Sequence, residues 1–349
     1  MTGWKPRAVS LFSGMGGMDL GFQRAGIRTV LATDIDPRCI ETLKANGPTT
    51  TLLPADLLDV DGITLLAKAG LRKGDVDIVY GGPSCQPFSR SNEGRRRGIK
   101  DPRGRLVFEF SRIVRELEPK AFVMENVRGL VSSNGGWDLR LLERRFRRVG
   151  YCVSSFVLNA ADYGVPQSRH RLFVVGLDDG LAPLPPEPTH APKDTPGKGR
   201  KVHVTAGEAI GTLDDGVDMK GVEAIGGMYG HLMDAIPAGM NYLYYTKRYN
   251  PKKHLFRWRS KFWTFLLKMD PSRPSHTIQA TPGPYVGPFH WRNRRLTLEE
   301  IKRLQGIPAS WTVSGSTQPE YTSAAWRQVG NAVPPRLAEA IAAGIKDSL

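Results

Sequence analysis

The chain has 349 residues, of which 40% are hydrophobic, so it can form one large α/β domain with a smaller second domain. No apolar run is long enough to cross a membrane, and the first residues carry no signal-peptide pattern. The formal net charge of +15 favours a polyanionic partner, whereas no basic amphipathic helix indicates binding to a membrane surface. The three cysteines are too widely spaced for a disulfide framework or a zinc site, which predicts a reducing, cytoplasmic environment.

The first half of the chain alternates segments that have the patterns of strands and helices. We predict strands at residues 8–12, 29–32, 51–53, 76–80, 121–124, 153–158 and 172–175. We predict helices at residues 18–25, 37–46, 106–117 and 138–149. This alternation indicates an α/β fold with a mostly parallel sheet that helices cover on both faces.

The character of the sequence changes after about residue 177. A proline-rich stretch at residues 183–196 predicts an extended linker or rim. Residues 200–290 lack clean periodicity, and the stretch 247–263 interleaves basic with aromatic side chains. We therefore predict a small, irregular second domain, followed by helices at residues 297–304 and 335–345.

A glycine-rich loop, Gly14-Met15-Gly16-Gly17, connects the first strand to the first helix. Glycines allow a tight turn and close approach of the backbone to a ligand, and Asp34 ends the next strand, where an acidic group can bind ribose hydroxyls. Asp19 occupies the third glycine position of the dinucleotide pattern, so a cationic ligand fits better than a pyrophosphate. Asp56, after the third strand, could accept from an adenine amino group. The alternative is a set of ordinary turn glycines and helix-capping aspartates.

Cys85 lies in the glycine- and proline-containing segment 81–89, directly after the predicted strand 76–80. This arrangement presents a thiol at the edge of the sheet where ligands of open α/β folds bind. The thiol is a candidate nucleophile, and the alternative is a buried, inert cysteine.

Two further polar segments adjoin strands of the same predicted sheet. Glu125-Asn126 ends a strand, so its carboxyl could share a cleft with the thiol and act as a proton donor, although a salt bridge or a helix cap is an equal alternative. In the segment 167–171, strand alternation would place Gln167, Arg169 and Arg171 on one face as donors to anionic or carbonyl oxygens. A solvated charge run is the alternative there.

These motifs, in this order, resemble those of the DNA (cytosine-5)-methyltransferases over nearly the whole chain. The matching segments are Phe12-Ser13-Gly14-Met15-Gly16-Gly17, Asp34, Asp56, Gly82-Pro83-Ser84-Cys85-Gln86, Glu125-Asn126-Val127, Gln167-Ser168-Arg169-His170-Arg171, the stretch 295–308, and Gln328-Val329-Gly330-Asn331-Ala332-Val333-Pro334. The resemblance implies a Rossmann-like, S-adenosylmethionine-dependent methyltransferase domain with a smaller, irregular target-recognition domain.

The resemblance also assigns roles to individual residues. Cys85 would add to cytosine carbon-6, Glu125 would bind or protonate the base, and Arg171, with Arg169, would bind its carbonyl oxygen. The cofactor residues would be Phe12, Gly14, Gly16, Gly17, Asp34, Ile35, Asp56 and Asn331. No metal is expected.

By the same resemblance, residues 1–177 form the catalytic core, residues 178–290 the target-recognition domain, and residues 291–349 return to the core. The partner would be double-stranded DNA with its target base flipped out, and the loop 90–105 would close over it. The size is typical of bacterial or phage restriction-modification enzymes. Without a nuclease signature, any restriction endonuclease would be a separate protein, and we expect a monomer.

Three alternatives remain at this point. An RNA cytosine-5 methyltransferase would share the core, but its relatives carry a Cys-Phe-Thr tripeptide in the recognition region, which has no cysteine here. A catalytically silent DNA-binding regulator would not need Cys85, Glu125, Arg169 and Arg171 together. A small-molecule methyltransferase would account for the glycine loop but not for the charge or the basic second domain.

Overall fold

The structure is a computed structural model. It describes residues 5–47, 49–84, 98, 102–178, 180–195, 197, 199–213, 225–259, 262–315 and 322–349.

A seven-stranded sheet forms the centre of the larger part of the protein. Its strands are β1 (Arg7–Leu11), β2 (Arg28–Asp34), β3 (Thr51–Pro54), β4 (Ile78–Gly81), β5 (Ala121–Val127), β6 (Cys152–Asn159) and β8 (His170–Leu177), and the spatial order is β3-β2-β1-β4-β5-β8-β6. The first five strands in that order pair in parallel, and β8 is antiparallel to both of its neighbours. The predicted α/β fold with a mostly parallel sheet is confirmed.

Short strands lie outside this sheet and pair in twos. β7 (Gln167–Ser168) pairs in parallel with β11 (Ser275–His276), and β9 (His190–Ala191) pairs in parallel with β10 (Lys201–Val202). The α-helices are α1 (Gly17–Arg24), α2 (Pro37–Asn46), α3 (Gly62–Ala69), α4 (Leu106–Leu117), α5 (Trp137–Arg148), α6 (Ala206–Ile210), α7 (Leu298–Leu304), α8 (Thr322–Asn331) and α9 (Pro335–Lys346).

Local sequence signals explain where several helices begin. The Asp36 carboxylate caps α2 by accepting from the backbone N–H of Arg38 at 3.0 Å, with proline at the first helical position. Asp61 caps α3 in the same way through Thr64. Thr297 and Glu300 form a reciprocal capping box at the start of α7, which fixes the predicted helix there.

The carboxyl ends of the central parallel strands lie level with one another. Leu11 at the end of β1 is paired with Gly81 at the end of β4, and Gly81 is in turn paired with Met124 in β5. On the other side, Asp34 at the end of β2 is paired with Pro54 at the end of β3. The loops that follow these strands therefore emerge at a single edge of the sheet, where open α/β folds bind ligands.

The chain divides into two compact units that alternate along the sequence. The sheet unit consists of Met1–Asn159, His170–Glu187 and Ala332–Leu349, and the second unit consists of Ala160–Arg169 and Pro188–Asn331. The predicted boundaries at residues 177 and 290 separate functional roles, and they stay a prediction. The two compact units have other boundaries, because residues 291–331 pack with the second unit and α9 packs on α1 in the sheet unit.

Each unit has a core of its own. In the sheet unit, aromatic rings pack under α4 and α5: Phe122 stacks on Phe146 at 4.0 Å between centroids and meets Phe110 and Tyr151 edge-on. In the second unit, four aromatic rings contact one another edge-on in place of regular secondary structure; they are Tyr229, Phe256, Phe265 and Tyr285. The irregular second domain predicted from the sequence is therefore held by side-chain packing.

None of the helices in the described part of the chain combines the length and apolar character that spanning a membrane requires.

Candidate active site

The loop after β1 has the backbone of a ligand-binding turn. Phe12, Gly14 and Gly16 adopt positive φ angles of 53°, 56° and 87°. The Gly14 N–H donates to Asp34 Oδ2 at 2.8 Å, and the Asp36 N–H donates to Asp34 Oδ1 at 2.9 Å. Asp34 thus ties the glycine loop to the end of β2, which places two of the predicted cofactor elements side by side.

The two helices that contact this loop are packed very closely. A Cβ atom on Gly17 would lie 2.4 Å from the Val333 carbonyl oxygen, and one on Gly21 would lie 2.5 Å from the Pro335 carbonyl oxygen. Glycine is required at both positions because the backbone of the segment that opens α9 occupies that space. Gly17 therefore has a role in helix packing. The sequence pattern explained this glycine only by close approach of the backbone to a ligand, and its contact with the cofactor stays a prediction.

Beneath the glycine loop lies a buried polar network. The Tyr80 hydroxyl donates to Asp19 Oδ1 at 3.0 Å and shares a 2.7 Å hydrogen bond with the Thr29 hydroxyl. Burial raises the pKa of the Asp19 carboxyl to about 6, although hydrogen bonds from Ser10 and Tyr80 act in the opposite direction. Burial also raises the pKa of Asp34. A cation bound nearby would stabilise the ionised form of both carboxyls.

Three observations test whether these residues fit a cationic nucleoside cofactor. No atom of the described residues lies within 4 Å of where a Cβ on Gly14 would be, so they leave open space beside its backbone. Ile35, directly after β2, exposes 66% of its surface and offers an apolar contact for a base. Asp56 is half-buried after β3, and its carboxylate accepts from the Leu58 N–H in its own turn at 3.0 Å. The chemistry of this edge fits the group.

The loop that leads to the predicted nucleophile is anchored to β5. Asn126 donates from Nδ2 to the Pro83 carbonyl oxygen at 3.1 Å, and its Oδ1 accepts from the Val127 N–H at 2.9 Å. A Cβ atom on Gly82 would lie 3.0 Å from Glu125 Oε2, so only glycine allows this approach without a shift. Cys85 itself lies outside the described residues, as does most of the predicted closing loop 90–105.

Glu125 and Arg171 form the central ion pair of this edge. Arg171 Nε lies 2.8 Å from Glu125 Oε1, and the two side chains are 12% and 10% exposed. The antiparallel pairing of β5 with β8 places Arg171 opposite Val127, which makes Glu125 its diagonal neighbour on the same face. A carboxyl and a guanidinium are thereby held together beside Gly82, which lies in the loop that leads from β4 to Cys85.

Arg169 has a different environment from Arg171. Its guanidinium is buried in the second unit, where it donates to the carbonyl oxygens of Ile278 at 3.0 Å and Gly330 at 2.6 Å. The predicted common face is confirmed for Gln167 and Arg169, because Arg169 Nη1 donates to Gln167 Oε1 at 3.4 Å. It is wrong for Arg171, because the strand is interrupted at Arg169: β7 ends at Ser168 and β8 begins at His170. Arg169 holds segments of the second unit together.

Asn331 is the last residue of α8 and is exposed in the second unit, whereas the other predicted cofactor residues belong to the sheet unit. Two contributors were missed by the sequence prediction. Asn126 could have been inferred from its position beside Glu125, but the Tyr80 hydroxyl partner of Asp19 gives no sequence signal, since Tyr80 looks like any buried strand residue.

Within the described residues, no three His, Cys, Asp or Glu side chains lie close enough together to hold a metal ion.

A doubly wound sheet with a glycine loop, an acidic strand end and a carboxyl–guanidinium pair at one edge defines a nucleotide-cofactor enzyme of the α/β class. Residues 7–347 match the family described as C-5 cytosine-specific DNA methylase. The chain belongs to this family, and it is an enzyme. Membership implies a methyltransferase that depends on S-adenosylmethionine and modifies carbon-5 of cytosine in DNA.

Individual relatives agree with this assignment. The Type II methyltransferase M.SacI of Streptomyces achromogenes is 38% identical, over 98% of this chain and 93% of that protein. The Type II methyltransferase M1.HphI of Haemophilus parahaemolyticus is 36% identical, over 97% of this chain and 86% of that protein.

Solved structures share the fold at lower identity. The Entamoeba histolytica methyltransferase EhMeth has a TM-score of 0.66 at 16% identity, with 99% of this chain and 100% of that chain covered. The S. pombe Dnmt2 methyltransferase has a TM-score of 0.59 at 20% identity, with 99% of each chain covered.

Proposed function

We propose that this enzyme methylates carbon-5 of cytosine within one specific short sequence of double-stranded DNA, with S-adenosylmethionine as methyl donor. The target base is flipped out of the duplex, and Cys85 forms a transient covalent bond to it. The observation that supports this most directly is the Glu125–Arg171 pair beside Gly82, because it places a carboxyl group and an oxygen-binding guanidinium next to the loop of the nucleophile.

The reaction needs a nucleophile because carbon-5 of cytosine is itself a poor one. The Cys85 thiolate would add to carbon-6, which makes carbon-5 nucleophilic towards the methyl group that the cofactor would supply. Transfer would break the methyl–sulfur bond, and its electron pair would stay on the sulfur of the departing neutral thioether. Glu125 binds or protonates ring nitrogen-3 as negative charge develops on the ring. Arg171 binds the base carbonyl oxygen and orients Glu125. Loss of the carbon-5 proton to solvent then breaks the carbon–sulfur bond and releases the Cys85 thiolate.

Residues of the sheet edge would hold the cofactor. Asp34 would accept from ribose hydroxyls, Ile35 would contact the adenine face and Asp56 would accept from its amino group, while Phe12 and the backbone of Gly14 and Gly16 would line the same space. When bound, S-adenosylmethionine supplies an electrophilic methyl group on a sulfonium centre. The carboxyls of Asp19 and Asp34 would favour that positive charge, which is the electrostatic reason that this loop suits a sulfonium cofactor better than a pyrophosphate.

The recognition segment, proposed as residues 178–290, would read the DNA sequence. Trp258, Phe262 and Trp263 are 65%, 46% and 49% exposed, and the guanidinium of Arg259 lies 5.7 Å from the Phe262 ring centroid. Exposed aromatic and basic groups of this kind can contact base edges and phosphates. Phe256 from the same stretch packs against the aromatic core of the second unit instead. This side chain therefore stabilises the fold, whereas the three exposed aromatic side chains are available to contact DNA.

The biological setting is part of the same proposal. The two relatives named above are Type II methyltransferases, so we place this enzyme in a bacterial or phage-borne restriction-modification system. It would act in the cytoplasm as a monomer, with a separate restriction endonuclease as its counterpart.

The test is transfer of labelled methyl groups from S-adenosylmethionine to unmethylated genomic DNA, followed by base-resolution mapping. We expect labelled cytosine at one short sequence, loss of labelling in Cys85→Ala, and no labelling of RNA offered in parallel. Labelled RNA would favour the RNA methyltransferase. Binding of DNA and cofactor without transfer to either nucleic acid would favour the silent regulator.

A further inference from the structure

An arginine-lined groove lies between α4 and α5 on the sheet unit. We define the arginine groove by Arg105, Arg112, Arg115, Arg145 and Arg148, which line a depression of about 490 Å³. Among the described residues of its lining, Glu109 is the only acidic one. Arg105 also ends the predicted closing loop 90–105, and the proposed methyl transfer uses none of the other four arginines.

The acidic neighbours of the groove are already engaged. Arg112 forms ion pairs with Glu109, at 2.7 Å from Nε to Oε2, and with Glu116, at 3.0 Å from Nη1 to Oε2. It also donates to the carbonyl oxygens of Leu57 and Val60. Among the described residues, no ion pair involves Arg105, Arg115, Arg145 or Arg148. Four guanidinium groups therefore line one groove without an ion pair to any acidic residue that the structure describes.

Helix electrostatics account for only part of this arrangement. Arg115 lies in the last turn of α4, and Arg145 and Arg148 lie in the last turn of α5, where cations stabilise the helix dipole. Arg105 lies at the opposite end, in the N-cap position of α4, where a cation is unfavourable. Arg145 and Arg148 also repel each other at i,i+3 spacing. A bound anion would remove both penalties.

The dimensions of the groove indicate a polymeric anion. Arg105 and Arg115 are ten positions apart along α4, which corresponds to roughly 15 Å at about 1.5 Å per residue. A DNA duplex carries about one negative charge per 1.7 Å of its axis, so such a length offers several phosphates. The guanidinium of Arg145 is held 4.5 Å over the Phe108 ring, which orients it before any ligand arrives.

We propose that the arginine groove is a second, sequence-independent DNA-binding surface that contacts phosphates of duplex outside the methylation target. Its phosphate contacts add to those of the active-site side and strengthen binding to any DNA. They increase the salt dependence of that binding without contributing to the choice of target or to methyl transfer.

The test measures binding of a poly(dA)·poly(dT) duplex, which has no cytosine, over a series of salt concentrations. The groove variant is Arg115→Gln with Arg148→Gln. The control is Arg24→Gln with Arg28→Gln, which removes the same charge. Both arginines are exposed on the sheet unit and lie outside the groove. We expect the slope of log K against log salt to become shallower by about 2 in the groove variant and to stay unchanged in the control.

A groove variant with the wild-type slope would overturn the proposal, and so would an equal loss of slope in the control. Thermal unfolding of both variants verifies that they are folded. Because the duplex contains no cytosine, the result does not depend on the proposed methylation. Methyl transfer at saturating target DNA should be unchanged in the groove variant, and a loss there would assign these arginines to the active site instead.

Discussion

At the scale of single residues, two arginines that are close in sequence have separate tasks. Arg171 pairs with Glu125 at the edge of the sheet, whereas Arg169 donates to the carbonyl oxygens of Ile278 and Gly330 in the second unit. A guanidinium that donates to carbonyl oxygens in a buried setting is a structural cross-link, because its removal leaves those oxygens unsatisfied. The side chains that we expect to touch the base are therefore Glu125 and Arg171.

Replacing Glu125 tests its proton-transfer role. Glu125→Gln keeps the size of the side chain and one oxygen for Arg171, but it cannot supply a proton to the base. We expect kcat to fall by about 10²–10⁴-fold with little change in DNA affinity. Steady-state kinetics would measure this, with Glu118→Gln, an exposed carboxylate at the end of α4, as the control that keeps full activity. A Glu125→Gln enzyme with wild-type kcat would contradict the role.

The buried carboxyl of Asp19 predicts how stability depends on pH in the absence of cofactor. Its pKa is raised by burial from 3.8 to about 6, so the folded state binds more protons than the unfolded state between these values. The free energy of unfolding must then fall as pH rises through this interval. Between about pH 5 and pH 7 this group accounts for a loss of about 1.5 kcal/mol.

Asp19→Asn should remove that part of the pH dependence, and urea unfolding at several pH values would measure it. A smaller slope remains in the variant because burial also raises the pKa of Asp34. Asp59→Asn, which removes an exposed carboxyl of the sheet unit, is the matched control. An identical pH profile for Asp19→Asn and the wild type would show that Asp19 does not titrate in this interval.

At the scale of elements, glycines decide how closely α1 approaches α9. Gly21 of α1 has the Ala338 Cβ and the Pro335 carbonyl oxygen each 2.5 Å from where its own Cβ would be, whereas Gly344 of α9 has nothing within 4 Å. Both lie inside helices, where alanine is intrinsically favoured over glycine by about 1 kcal/mol. Their surroundings therefore determine opposite outcomes for the same substitution.

We expect Gly344→Ala to raise the free energy of unfolding by up to about 1 kcal/mol and Gly21→Ala to lower it by about 1–3 kcal/mol. The gain comes from helix propensity, and the loss comes from steric overlap with a backbone that cannot move freely. Urea unfolding of the two variants side by side measures both. Shifts in the same direction would mean that the α1–α9 contact is looser than described.

Periodicity and turn residues predicted most strands and helices of the sheet unit, because each carries its own local signal. Helix α3 was missed, although Asp61 caps it and marks its start. The antiparallel direction of β8 could not be predicted, because alternation is the same for either direction. The break at Arg169 depends on carbonyl groups more than 100 positions away, which no local pattern reports.

In the candidate site too, features with a local sequence signal were predicted and features that depend on strand order were not. The glycine loop, Asp34 and Glu125 were found because each follows a strand, and strand ends of a parallel sheet meet at one edge. The Asp19–Tyr80 hydrogen bond joins positions 61 apart and depends on the order β1-β4 in the sheet, which the sequence does not contain. The anchoring of the Pro83 carbonyl oxygen by Asn126 likewise requires knowledge that β4 and β5 are neighbours.

At the scale of the whole molecule, the chain passes four times between its two units, and the sheet unit is completed by its last segment. Helix α9 packs against the face of α1 that bears Gly21, whereas Phe22 of α1 stacks on Tyr80 of β4. The glycine loop opens directly into α1, so the geometry of the cofactor edge depends on a helix from the far end of the sequence.

Removing residues 335–349 should therefore damage the whole sheet unit rather than a local region. We expect loss of a cooperative unfolding transition and binding of a hydrophobic dye, because the surface of α1 and of the adjoining core that α9 covers becomes exposed. Removing residues 347–349 alone should leave the transition intact, since these residues follow α9. A cooperative transition in the longer truncation would show that α9 is dispensable for folding.

The contact between α1 and α9 also has a consequence for synthesis on the ribosome. At about 5–20 residues per second, tens of seconds separate the emergence of α1 from that of α9. During this interval the nascent chain lacks the helix that packs against α1, and the surface that α9 will cover stays exposed, which makes the chain a natural client for chaperones. Each new molecule therefore becomes competent to bind its methyl donor only after α9 has left the ribosome, so catalytic activity trails translation and a truncated product cannot act.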